Sequence, residues 1–114
     1  MLTYEVEFDQ NFMNSVFEDA WYDAVKELEP ILTSYARSNH RYKNQTGNLT
    51  RTTMARRIGD ELSVFSGAGY AKYVHDGHGT WKADPWLRDT IEKNIPLIER
   101  IYEKHLQIHF NDMR

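Results

Sequence analysis

His75, Asp76 and His78 fall within four residues, beside Gly77 and Gly79. Imidazoles next to a carboxylate are what a bound zinc ion or a general acid and base pair would use. A zinc site normally takes three or four ligands with supporting hydrogen bonds, and the rest of the chain offers no matching pattern of histidine and carboxylate. The favoured reading of these residues is a polar loop, with a metal-dependent hydrolase at His75, Asp76 and His78 ranked third among the functions considered. His105 and His109 stand four apart, a chelating distance on a helix, yet no glutamate follows His105 as a zinc-protease helix requires. A solvated helix face accounts for them better. Ser15, Ser34, Ser38, Ser63 and Ser66 sit in no nucleophile-elbow pattern, and Gly67-Ala68-Gly69 lacks the lysine of a phosphate loop. The absence of cysteine excludes disulfides, thiolate metal sites and a cysteine nucleophile. Neither catalysis, cofactor nor metal is expected from these patterns.

Charge is the next place to look for function. The net charge is only −3, too small for a global field that draws nucleic acid, but it is unevenly placed. Residues 1 to 30 hold eight acids and one base, and residues 31 to 59 hold six bases (Arg37, Arg41, Lys43, Arg51, Arg56, Arg57) and no acid. The plain reading is a basic loop and hairpin neutralised in space by the acidic helix before them. Two sharper readings are a bipolar subunit that docks acidic face to basic face, and a small nucleic-acid-binding module using residues 37 to 57. Nucleic acid is not the favoured partner.

The elements that must carry these residues follow from periodicity. The 114 residues, 40% hydrophobic and 27% charged, suit a single domain over residues 1 to 114 with one core. No apolar run reaches a membrane span, and the opening residues lack a signal peptide's basic start and apolar stretch, so a soluble protein used where it is made is expected. Leu2, Tyr4, Val6 and Phe8 alternate with polar residues as in a half-buried strand. Asp9, Gln10 and Asn11 offer helix caps. Phe12, Val16, Ala20, Ala24, Leu28, Ile31, Leu32 and Tyr35 then trace one face of a long helix, in which Pro30 predicts a kink or restart. Residues 38 to 47 read as a flexible loop. Residues 54 to 58 and 62 to 65 flank Gly59-Asp60 as a hairpin, in which both turn residues suit positive backbone angles. A short helix over residues 70 to 74 would place Tyr70, Tyr73 and Val74 on one face. Asp84-Pro85 marks a helix start capped by the Asp84 side chain, and Pro96 should bend or split that last long helix near Asn94. The order implies an α+β fold: a small antiparallel sheet of about three strands packed against two long helices plus a short helix, with helices on one face.

Three blocks carry a resemblance. Thr46-Gly47-Asn48-Leu49 followed by Arg51, Tyr70-Ala71-Lys72-Tyr73-Val74 ending at Gly77, and Ala83-Asp84-Pro85-Trp86-Leu87-Arg88 occur in that order over residues 46 to 88. Together they resemble the bacteriophage tail-component family named for the tenth gene product of a lambdoid-type siphophage. That family has Thr-Gly-x-Leu, Tyr-Ala-x-Tyr-Val-x-x-Gly and Ala-x-Pro-Phe-Leu-Arg at the corresponding places. Departures are Thr52-Thr53 for Ser and an aliphatic residue, Lys72 for a frequent Pro, His75-Asp76 for an acid and an aromatic, and Trp86 for Phe.

The resemblance implies a structural protein of the phage or prophage virion, in the tail or neck and made in the host cytoplasm. Its expected work is tail completion or head-to-tail joining, with no catalysis and no cofactor. The implied partners are further copies of itself, in a homo-oligomer such as a ring, and tail tube, tail terminator or head connector proteins. No membrane is implied. In physical terms Gly47 and Gly77 would supply backbone angles closed to other residues. Tyr73 and Trp86 are expected in the core, while Arg51, Arg56, Arg57 and Trp81 are candidates for a subunit interface.

Overall fold

The computed structural model describes residues 2–6, 15–40, 47–77 and 82–112. The element order is β1 (Leu2–Val6), α1 (Ser15–Ser38), α2 (Asn48–Arg51), β2 (Thr53–Ile58), β3 (Glu61–Ser66), α3 (Ala71–Asp76), α4 (Trp86–Lys93) and α5 (Ile95–Asp112). The three strands form one antiparallel sheet in the order β1-β3-β2, with Leu2 opposite Ser66 and Thr53 opposite the same residue from the other side. This is the expected α+β fold with its small antiparallel sheet and long helices. The caps expected at Asp9, Gln10 and Asn11, and the apolar position Phe12, lie outside the described residues, as do residues 41 to 46 of the expected loop.

Alternation divides the sheet into two faces. Ala55, Leu62 and Val64 are buried on one of them, and the inward stripe of α1 (Trp21, Ala24, Val25, Leu28, Leu32, Ala36) joins them in one core. The core is completed by Trp86 and Leu87 of α4 and by Ile98 and Ile101 of α5. The α1 helix runs unbroken through Pro30, so the expected restart is absent. Pro30 is exposed, on the side of the helix away from the core, where the carbonyl that its ring deprives of a partner can turn to water. The break near Asn94 does occur: α4 ends at Lys93, and the Asn94 carbonyl accepts the first amide of α5, from Ile98 at 2.8 Å. Pro96 then falls in the first turn of α5, where a missing N–H removes no helical bond.

The hairpin turn is tied to the helix beside it. Gly59 takes φ +63°, and among the described residues no non-glycine residue has positive φ, so of the expected pair only Gly59 uses the left-handed region. The Asp60 carbonyl accepts the Trp21 indole N–H at 2.8 Å, and its carboxylate accepts the Tyr22 hydroxyl. That bond, together with desolvation, raises the Tyr22 phenol above its ordinary pKa.

Residues far apart in sequence also join α1 to α5. The Tyr102 hydroxyl donates to the Phe17 carbonyl, and Trp21 and Tyr102 meet edge to face at 5.6 Å. Lys104 Nζ donates to Glu27 Oε2 at 2.7 Å, His105 sits 3.3 Å from the same oxygen, and His109 Nε2 lies 2.7 Å from Asp23. The Lys104 hydrogen bond is the main cause that holds the Glu27 carboxyl below its ordinary range. A depressed carboxyl stabilises the fold at pH above its unfolded pKa and loses that contribution as pH falls through the lowered folded value. Glu27→Gln should therefore flatten part of the acid limb of a stability-against-pH curve measured by urea unfolding, and leave neutral and alkaline slopes unchanged.

Candidate functional site

Arg37 of the basic segment lies against the outer edge of β2. In the β2–β3 register Met54, Arg56 and Ile58 stand opposite Phe65, Ser63 and Glu61, and the intervening Thr53, Ala55 and Arg57 turn their backbone groups away from the sheet. Side chains of α1 occupy much of that edge. Thr33 Oγ1 accepts the Ala55 N–H at 2.8 Å and donates to the Ala55 carbonyl at 3.4 Å. The Arg37 guanidinium donates to the Thr53 carbonyl at 2.8 Å and to the Arg51 carbonyl at 3.1 Å. A groove of about 520 Å³ follows the same edge, with Pro30, Thr33, Ser34 and Arg37 on one wall and Met54 and Arg56 on the other.

The candidate interface cations differ in what they do. Arg57 lies over the Tyr22 ring at 4.6 Å, a cation–π contact that anchors the hairpin to α1. Arg51 and Arg56 are exposed, and Arg56 has no ion pair among the described residues. The acidic helix thus meets the basic hairpin through Tyr22, Thr33 and Arg37 more than through carboxylates. Trp81 lies outside the described residues.

The three sequence blocks come together in one place. Gly47 precedes α2 at φ +76°, and Leu49 is buried in the core; Thr46 lies outside the described residues. The Thr53 hydroxyl donates to the Leu49 carbonyl at 2.7 Å and accepts the Trp86 indole N–H at 3.3 Å, so one side chain links the first block to the third. Thr52 caps α2 by donating to the Asn48 carbonyl at 2.8 Å. The second block reaches the third through the Asp84 N–H, which donates to the Val74 carbonyl at 2.9 Å. Ala71 is buried, Val74 packs against the core, and Gly77 ends α3 at φ +83°. Pro85 precedes α4, and Trp86 and Leu87 are fully buried.

Tyr73 departs from its expected place in the core: it is 49% exposed, and Tyr70 is 42% exposed. The inward face of α3 is Ala71, Val74 and His75, which leaves both tyrosines pointing to solvent. Asp84, just before α4, is buried. His75, which is 1% exposed, also serves this helix start. Its Nε2 accepts the Arg88 N–H at 3.3 Å, in the first turn of α4, and its Nδ1–H donates to Asp76 at 2.8 Å. The ring rests edge to face on Trp86 at 5.5 Å.

Both nitrogens of His75 are thus engaged, Nε2 in holding α3 to α4 and Nδ1 on its neighbour Asp76, and His78 lies outside the described residues. Among the described residues no group of three His, Cys, Asp or Glu is placed to hold a metal ion. No described helix is long and apolar enough to cross a membrane. Sequence reasoning missed α2 and the bonds of Thr33 and Thr53. Only the hydroxyl-rich Thr50, Thr52 and Thr53 around Arg51 hinted at a capped turn there. No family model, curated protein or solved structure matches the chain.

Proposed function

We propose that this chain is a phage virion structural protein that acts in tail completion or head-to-tail joining, by associating with itself and docking on tail or connector subunits. One observation supports the reading above others. The three blocks that resemble the tail-component family are bonded to one another through Thr53, Val74 and Asp84 around a shared core, as expected of residues that define one common framework. Exposed Arg51 and Arg56 next to an acidic α1 suit a ring contact in which one face meets a different face.

The nucleic-acid reading is weakened because Arg37 is used on backbone carbonyls and Arg57 on Tyr22, which leaves fewer cations of the segment for phosphate. Light scattering of the purified protein over a concentration and salt series, with metal analysis of the same sample, tests the proposal. The expected result is a metal-free assembly of more than two copies whose mass falls as salt rises, and which Arg51→Glu with Arg56→Glu disperses. A strict monomer with stoichiometric metal would overturn it. A steep salt slope in DNA binding would favour the second reading.

A further inference from the structure

We propose that the last turns of α5, residues 102 to 112, form a strap held to α1 by charge, which opens as a unit while the rest of the fold stays closed. Burial sets the first condition. Ile98 and Ile101 are the buried apolar side chains of α5 among the described residues, and after Ile101 every described side chain is at least partly exposed. Tyr102 reaches the edge of the core, and beyond it the strap adds little apolar burial to hold it down.

A ladder of charges takes the place of that packing. Asp23 and Glu27 stand one turn apart on α1, and His105 and His109 one turn apart on α5, so the facing helices set each histidine against one carboxylate. His109 Nε2 lies 2.7 Å from Asp23 Oδ2, and His105 Nε2 lies 3.3 Å from Glu27 Oε2, which also accepts from Lys104 Nζ at 2.7 Å. These rungs are wet: side-chain exposure is 48% at Asp23, 36% at Glu27 and 49% at Lys104. Exposed pairs contribute only a few-fold each to an equilibrium. The strap is therefore closed by a smaller margin than the fold as a whole, which is the condition for opening on its own. Residues 102 to 112 are also too few to keep a helix alone in water, so leaving α1 breaks their backbone hydrogen bonds as well.

Opening has a defined effect on α1. Phe110 rests edge to face on Phe17 at 5.7 Å and Tyr102 on Trp21 at 5.6 Å, and both contacts are lost. Trp21 keeps its indole bond to the Asp60 carbonyl, so its ring stays in place as the cover leaves. Aromatic surface of α1 is thus uncovered to an extent set by ionic strength. Nothing in this device depends on the tail reading, and it operates within a single copy.

Amide hydrogen exchange of the full chain tests it. Wild-type amides of residues 105 to 111 should exchange faster than those of Leu28 and Val64, with little dependence on urea, because a local opening exposes little surface. Asp23→Asn combined with Glu27→Gln should speed them about five- to tenfold. Salt near 1 M, where the Debye length is about 3 Å, should act in the same direction on wild type and hardly on that variant. Glu103→Gln, at an exposed position of α5, should leave them unchanged. Val64→Ala, which opens a cavity at a fully buried position of β3, should speed the core amides and not those of the strap. Strap amides that keep pace with the core in Val64→Ala would show that α5 opens only with the whole fold. A double variant that exchanges like wild type, or no faster than Glu103→Gln, would show that charge does not hold it. Either result overturns the inference, and each leaves the tail proposal, read from the mass of the assembly, standing.

Discussion

Trp86→Ala should destabilise the fold by about 3–5 kcal/mol, the range for removing a large buried aromatic side chain. Trp86 is fully buried, supports the His75 ring and donates its indole N–H to Thr53. The substitution would empty the point where all three sequence blocks meet. A domain of this size has about 5–15 kcal/mol in total, so the urea midpoint should fall by a large fraction while the slope of the transition is kept. Trp86→Phe separates the packing from the hydrogen bond. It keeps a ring against His75 and loses only the donor to Thr53, whose hydroxyl still has the Leu49 carbonyl, so the cost should be about 1–2 kcal/mol. Equal losses in the two variants would show that the indole bond, and not the filled volume, holds this corner.

His75→Leu should cost about 2–3 kcal/mol, because the change nearly conserves volume but leaves the Arg88 N–H in the first turn of α4 without its acceptor. His75→Gln is the informative companion. Its amide oxygen can reach the position of Nε2, so it should recover most of the loss, and amide hydrogen exchange at Arg88 should be fast in the leucine variant and slow in the glutamine one. Leucine and glutamine variants of equal stability would mean that His75 acts through packing on Trp86 alone.

The extent to which the fold could be read from sequence depended on how local its causes were. The hairpin was readable because Gly59 carries its own backbone freedom, and the split of the last helix because Pro96 and Asn94 lie next to it. The long helix was readable from its stripe, but the restart offered as one outcome at Pro30 does not occur: a proline's local cost says nothing about whether the starved carbonyl faces core or water, and that is set by rotation of the whole helix. Tyr73 misled for a related reason. Aromatic character suggested burial, but six residues of α3 have only one inward face, and Ala71, Val74 and His75 take it.

The bonds least visible in sequence are those where a side chain serves a backbone group far away. Thr33 completes the edge of a strand 22 residues on, and His75 caps a helix that opens beyond the next break in the chain. Neither has a spacing rule. The charge asymmetry of the first 59 residues was plain in sequence, but its use was not, since Arg37 and Arg57 meet carbonyls and a ring in place of acids. The histidines were similarly ambiguous: His105 and His109 turned to carboxylates of α1, and His75 to the interior.

The pairing of β1 with β3, and of α1 with α5, has a consequence for how the chain reaches this state. Leu2 waits for Ser66, and Phe17 and Asp23 wait for Tyr102 and His109, 85 and 86 residues later. For contacts of such range, loop closure must precede the reward from burial. During synthesis the apolar stripe of α1 would emerge long before α5 exists to cover it. The docking of α5 on α1 should therefore come late in folding, and the interval in which α1 stands uncovered is when the chain is most exposed to aggregation or most in need of a chaperone.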